Sequence, residues 1–337
     1  MSSHDSVLIL GARGRFGLAA VRAYAAAGWQ VHAQVRPGAS GPAIPGVRWL
    51  AADPQDTAAL AAAAAGAVVV VQALSPPYTH AAWRTQVPRL TDAAIDVARE
   101  LRATLMVPAS VYNFGERMPP VLHEDTIQAA TTLKGRLRIA SEQRILAATQ
   151  DGGMKAVVIR GGDFFGSGTG SWLDLVMVKA LRRGKFTYPG ALDVPTAWAY
   201  LPDMARGFVK VAAQRAGLPA FETLNFHGYS LTGQHWADAL TLIAREQGWL
   251  APDEPLRVSS VSWPLMRVLG LFVPTVAAVC EMRYLWRTPH SLANARLESL
   301  IGDEPHTPFP DALRTALAGL DMLTTGRLAA GQSALSP

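Results

Sequence analysis

Three glycines, Gly11, Gly14 and Gly17, lie in the stretch Gly11-Ala12-Arg13-Gly14-Arg15-Phe16-Gly17, directly after the apolar run 7–10. An apolar strand, a glycine turn and a helix-forming segment (18–27) together make a cradle for phosphate. The first glycine permits a tight turn, the second lets backbone approach a pyrophosphate, and the third lets helix and strand pack closely. Amides at the helix start, around Arg15 and Phe16, can then hold phosphate oxygens. Arg36 ends the second apolar segment, 30–35. An acidic residue in this region would suit the ribose 2′-hydroxyl of NAD. An arginine suits a 2′-phosphate, so NADP is the expected cofactor and NAD the second choice. Arg13 could add a second guanidinium fork. A surface arginine with no ligand is the plainer alternative for both.

Such a cradle needs a sheet behind it, and the first half of the chain supplies one. Strand patterns at 7–10, 30–35, 47–51, 67–73, 104–107 and 156–160 alternate with helical patterns at 14–27, 57–65, 89–102 and 141–149. That alternation predicts an α/β fold, a Rossmann-type doubly wound parallel sheet covered by helices on both faces. After Gly166 the pattern loosens, with helix expected at 172–183 and 203–213 and a late strand at 223–226. From about residue 231 the tail reads as mainly helical with proline breaks. Residues 1–165 are therefore expected to form the dinucleotide-binding domain, with 193–227 returning to it. Residues 166–192 and 228–337 are expected to form a smaller, mainly helical C-terminal substrate or capping domain. Ligands would bind at the C-terminal ends of the strands.

The composition narrows the chemistry. Half of the 337 residues are hydrophobic, enough for a sizeable core. Cys280 is the one cysteine, and the eight histidines lack ligand spacing, so neither a disulfide framework nor a metal enzyme is expected. The net charge of +5 comes from dispersed arginines with no basic run interleaved with aromatics, so nucleic acid is not expected as a partner. No leader pattern is read at the N-terminus, so a cytoplasmic location is expected. The longest apolar stretch, 263–280, is broken by Pro264, Arg267, Gly270 and Pro274. It reads as a buried or lid-forming helix pair rather than a membrane span, so no membrane partner is expected, with attachment to a membrane surface as the lesser alternative.

The order of these pieces resembles the extended short-chain dehydrogenase/reductase superfamily, the NAD-dependent epimerase/dehydratase group. The likeness rests on the glycine turn, Asp53, Ala109-Ser110-Val111-Tyr112-Asn113-Phe114-Gly115, Arg160-Gly-Gly-Asp163-Phe-Phe-Gly166, Tyr200-Leu-Pro-Asp203-Met-Ala205 and Thr223-Leu-Asn225-Phe. The resemblance implies that Asp53 contacts adenine, although an aspartate before Pro54 could equally cap a turn. Backbone at Ala73, Leu74 and Ser75, which ends the fourth strand, should pass beneath the cofactor. Ser110 stands where the family serine hydrogen-bonds a substrate carbonyl or hydroxyl. Tyr112, two residues on, could reach the same cleft or simply pack.

One departure from the family pattern bears directly on chemistry. The family pairs Tyr-x-x-x-Lys as its acid/base, usually with Glu four residues after the lysine. Aligning Glu142 puts Lys134 at the tyrosine position and Arg138 at the lysine position, and none of the seven tyrosines precedes a lysine by four. Lys134 could bind the nicotinamide ribose and, with its pKa lowered by Arg138 and burial, act as acid or base. Arg138 could bind ribose or substrate but is a poor proton donor. Tyr112 or Asp163 could replace the missing tyrosine. The resemblance therefore implies an NADP-dependent oxidoreductase or nucleotide-sugar epimerase-like enzyme of an atypical branch. Its substrate would be a small polar carbonyl or hydroxyl compound, with a sugar or nucleotide-sugar as one candidate, and the family likeness is compatible with a homodimer. The rival is a non-catalytic NADP-binding redox sensor of the NmrA type.

Overall fold

A computed structural model describes residues 5–323 of the chain. It begins with β1 (Ser6–Leu10), α1 (Arg15–Ala26), β2 (Gln30–Val35), β3 (Val47–Ala51), α2 (Thr57–Ala63), β4 (Val69–Gln72), α3 (His80–Glu100) and β5 (Thr104–Ser110). A 3₁₀ turn, Val111–Phe114, leads to β6 (Val121–Leu122), α4 (Leu133–Ala148), β7 (Lys155–Gly161), β8 (Asp163–Phe165), β9 (Lys185–Tyr188), β10 (Thr196–Tyr200), α5 (Leu201–Ala213) and β11 (Phe221–Asn225). The rest comprises β12 (Tyr229–Leu231), α6 (Gly233–Glu246), β13 (Arg257–Ser260), α7 (Trp263–Gly270), α8 (Pro274–Cys280), β14 (Ser291–Leu292), α9 (Ala295–Ile301) and α10 (Phe309–Ala318).

Seven strands pair in the order β11-β7-β5-β4-β1-β2-β3, all parallel. The order reverses between β1 and β4, which opens a crevice at the C-terminal end of β1. Val69, Val70 and Val71 of β4 are wholly buried because helices cover both sheet faces. One face packs against α1 and α5, where the rings of Phe16 and Phe208 lie 4.7 Å apart. The other face packs against α2, α3 and α4. A second, aromatic core gathers Phe165, Trp198, Trp236, Tyr188 and Trp286 from the later elements. The central pair, Trp198 and Trp236, meets at 4.8 Å. Leu297 of α9 leaves that region and joins the core under α5.

Four local expectations change. The helix expected at 89–102 starts at His80, capped by Thr79, and carries Pro88 inside it. The helix expected at 141–149 starts eight residues earlier, where the Thr132 hydroxyl accepts from the Gly135 amide. The expected helix 172–183 is instead a π turn, Leu173–Met177, and a 3₁₀ turn, Leu181–Arg183. Leu173, Met177 and Leu181 keep a four-residue rhythm because each is buried in the aromatic core, and Asp174 caps Gly170 and Ser171. Tertiary packing there outweighs the local helical preference. The 263–280 segment does form a helix pair, α7 and α8. Its tip, however, is exposed rather than buried.

Candidate active site

The glycine turn is built by close backbone approach. A Cβ at Gly11 would stand 2.9 Å from the Leu74 amide nitrogen and 3.0 Å from the Ala73 carbonyl, so β1 and the end of β4 touch backbone to backbone. Gly11 also has φ +75°, a left-handed value that favours glycine. A Cβ at Gly17 would collide with the Gly11 carbonyl oxygen. Gly14 is the N-cap of α1 and brings no side chain to cap it, and no acidic residue lies in the first turn. The amides there are left for an outside anion. Gln34, nearly fully buried in β2, accepts from the Gly11 amide at 2.9 Å and donates to the Val35 and Ala52 carbonyls. It thereby ties the turn to the second and third strands. Sequence reading passed over it, since an isolated glutamine carries no motif.

Arg13 and Arg36 are both exposed, and neither guanidinium has a protein partner among the described residues. Asp53 is also exposed, and its Oδ1 accepts from the Gln55 amide at 2.9 Å, an Asx turn, while Asp56 caps α2. Ser75 is exposed just beyond β4. Arg15 does not point outward like Arg13. Its Nη1 donates to the Phe164 carbonyl at 3.1 Å, crossing from the glycine turn to β8.

Ser110, Tyr112, Arg138 and Asp163 share one environment. Ser110 ends β5 in register with Gly161 of β7, two residues before Asp163. Its Oγ is buried without a hydrogen-bond partner. Tyr112 and Tyr78 bear on each other electrostatically, and burial pushes the Tyr112 phenol up to about 12. Burial also pushes the Asp163 carboxyl up to about 7, against the opposing pull of the Arg15 guanidinium. The Arg138 Nε is buried unpaired, and its guanidinium stacks 5.2 Å from the Trp83 ring. The Tyr284 hydroxyl, from the far end of the chain, is likewise buried and unpaired, and Tyr112, Asp163 and Glu281 bear on it electrostatically. Unpaired buried polar atoms are costly, and Ser110, Arg138 and Tyr284 each contribute one here.

Lys134 stands apart. It is wholly buried, and its Nζ donates to the Ala278 carbonyl at 2.8 Å and to Glu281 Oε2 at 2.9 Å, with the Tyr78 ring 4.5 Å away. Glu281 also pairs with His80 at 2.9 Å and accepts from the Leu133 amide. Burial lowers the Lys134 pKa while Glu281 opposes the fall; Arg138 plays no part, which corrects the expectation that Arg138 depresses it. The counter-ion comes from 147 residues away, beyond the reach of any local pattern. Glu142 is held by Arg160, with Nη2 at 2.6 Å, and by the Asn113 amide at 2.8 Å. It therefore fastens α4 to β7 and the 3₁₀ turn. A surface hollow beside the Lys134 network is lined by His80, Arg84, Glu116, Arg136 and Glu281.

Residues 7–226 match the family described as NAD dependent epimerase/dehydratase family, and the chain belongs to that family. Solved structures repeat the fold. A dTDP-glucose 4,6-dehydratase from Streptomyces venezuelae, with NAD and TYD bound, superposes with a TM-score of 0.70 at 16% identity, over 94% of this chain and 97% of that one. A UDP-glucose 4-epimerase from Thermotoga maritima, with UDP-glucose, gives 0.68 at 13% identity, over 94% and 98%. The UDP-Glc/GlcNAc 4-epimerase of Campylobacter jejuni gives 0.67 at 13% identity, over 94% and 98%. No curated protein matches the sequence. Among the described residues, no helix is long and apolar enough to cross a membrane.

Proposed function

We propose that this protein is an NADP-dependent oxidoreductase of the epimerase type, whose acid/base group is Asp163 rather than a tyrosine. The carrying observation is the group formed by Ser110, Tyr112 and Asp163, all half-buried, with the serine Oγ shielded and unpaired and the carboxyl shifted to about 7. The bare turn around Gly11, Gly14 and Gly17 fits a dinucleotide, because any Cβ at Gly11 or Gly17 would meet backbone. The Arg15 and Phe16 amides would hold its pyrophosphate, and Arg13 and Arg36, both free of protein partners, its 2′-phosphate. Asp53 would approach the adenine, and backbone at Ala73, Leu74 and Ser75 would run beneath the ring system. The bound cofactor supplies a hydride acceptor or donor.

The chain's own residues do the rest. Ser110 Oγ donates a hydrogen bond to the substrate oxygen. Asp163, half protonated near neutral pH, gives or takes the proton on that oxygen, since a group titrating near the working pH does so best. Tyr112 stays protonated and acts as a fixed donor. Arg138 offers its unpaired Nε to the substrate or the ribose. The hollow places Arg84 and Arg136 beside Glu116 and Glu281, and its two guanidiniums would suit a phosphorylated substrate, of which the UDP-glucose bound by the Thermotoga maritima neighbour is an example. Lys134 positions α4 against α8 and reaches the cofactor only if Glu281 releases it.

The test is turnover of NADP(H), followed at the nicotinamide absorbance across a panel of nucleotide-sugars and small polar carbonyls. Asp163→Asn should lower kcat about 100-fold and remove the neutral pKa from the pH–rate profile. Ser110→Ala should lower it about tenfold. The pairing of Lys134 with Glu281 favours one second reading, a redox sensor that binds NADP without turning it over. Tight NADPH binding with no turnover on any substrate would select it.

A further inference from the structure

The helix pair α7–α8 projects an apolar tip. Among the described residues, six of the twelve exposed large hydrophobic side chains fall within positions 265–273: Leu265, Val268, Leu269, Leu271, Phe272 and Val273. Leu271 and Phe272 are 79% and 80% exposed, values opposite to those of an ordinary core residue. Scattered exposed leucines need no explanation, but a contiguous group at one projecting tip does. Gly270 lets the two helices close on each other, since a Cβ there would stand 3.1 Å from the Ala277 Cα. The tip is therefore a rigid wedge rather than a loose loop.

Two further observations say what the wedge meets. First, its backbone is self-satisfied. The Leu271 amide donates to the Val268 carbonyl, and those of Phe272 and Val273 both donate to Leu269. Exposed amides oppose entry into a medium without water, and these are already paired. Second, its charge is one-signed. From Leu256 to Cys280 there is no aspartate or glutamate, and the only cations are Arg257 and Arg267. Arg267 is exposed without a protein partner, and Arg283 stacks 5.6 Å from the Trp263 ring at the foot of α7. Apolar side chains at the tip, cations and an indole behind them, and no carboxylate between fit the surface of a lipid bilayer with anionic headgroups.

We propose that the α7–α8 tip inserts shallowly into an anionic bilayer surface and holds the protein there as a peripheral membrane protein. The helices are too short to span and need not do so. The same pair reaches the Lys134–Glu281 network at its inner end, through Ala278 and Glu281. Bilayer contact at the tip would thus sit one helix length from the mouth of the candidate active site. The proposal is independent of the acid/base assignment, because it predicts binding with or without turnover.

The experiment is co-sedimentation of the whole chain with phosphatidylcholine vesicles carrying about 30% phosphatidylglycerol, which gives the vesicle a negative surface potential. Binding is expected, and the double variant Leu271→Asp, Phe272→Asp should lower partitioning about tenfold or more. Arg267→Glu should weaken binding to anionic vesicles and leave the weaker binding to pure phosphatidylcholine unchanged. Both changes lie at exposed positions, and a thermal melt matching the parent shows the fold intact. If the double variant does not fold, Phe272→Ser takes its place with the same expectation. Absence of vesicle binding by the parent chain overturns the proposal, as does binding that the tip variants leave unaltered. A parent dimer that the tip variants split into monomers overturns it too, because a second copy would then be the partner of this face.

Discussion

The candidate phosphate side and the candidate reacting side of the crevice lie at the same end of one sheet, yet they are built on different principles. The phosphate side is backbone: Gly11 against Ala73 and Leu74, Gly17 against Gly11, free amides at the start of α1. Its parts lie within a few residues of each other, apart from the contact with β4 and the brace from Gln34. The reacting side is side chains brought from everywhere. Arg15 reaches Phe164 across 149 positions, Lys134 reaches Glu281 across 147, and Tyr284 joins Tyr112 and Asp163 from the tail. A backbone cradle recognises what all dinucleotides share. A side-chain assembly can be altered one residue at a time without losing the cradle. That is how a chain can keep the family's fold while its side-chain assembly changes.

This contrast can be broken first on the phosphate side. Gly17→Ala should cost about 3 kcal/mol of stability and abolish NADPH binding, since its Cβ has only backbone to displace. Urea unfolding and calorimetry measure both. On the reacting side, Glu281→Gln should cost about 2–3 kcal/mol, because it leaves Lys134 buried without its counter-ion. Adding Lys134→Met should recover much of that loss, and a double-mutant cycle reads the coupling. If Glu281→Gln is neutral, the pair is not what holds α4 to α8.

Asp163 gives a pH-dependent test of smaller size. Its carboxyl titrates near 7 in the folded protein and near 3.8 when exposed. The folded state therefore holds the extra proton between those values, so stability is full below about pH 4 and falls as pH rises through 7. Asp163→Asn should match the parent at pH 4 and be the more stable of the two at pH 8. Thermal melts at the two pH values compare them, and equal differences at both would mean the carboxyl is not buried in solution. The smallest effect belongs to the exposed cations. Arg36→Asp should weaken NADPH about tenfold, spare NADH and leave the melting temperature unchanged, as expected for a group with no protein partner. Equal loss for both cofactors would break the assignment of the 2′-phosphate.

By itself the sequence determined the parallel sheet, the glycine turn and the place of Ser110 at a strand end. Each depends on local periodicity or on a backbone conformation that few residues adopt, and such signals are written in neighbouring positions. It also showed that no tyrosine is followed four residues later by lysine, because that is a matter of spacing alone. Only the tertiary structure decided that Lys134 is neutralised by Glu281 rather than perturbed by Arg138, and that Gln34 braces the glycine turn. It also decided that residues 172–183 wind as π and 3₁₀ turns, and that the apolar run ending at Cys280 exposes its middle instead of burying it. The physical reason is common to all of these. Burial and charge pairing are set by which segments meet in space, and those meetings join positions from 23 to almost 150 residues apart.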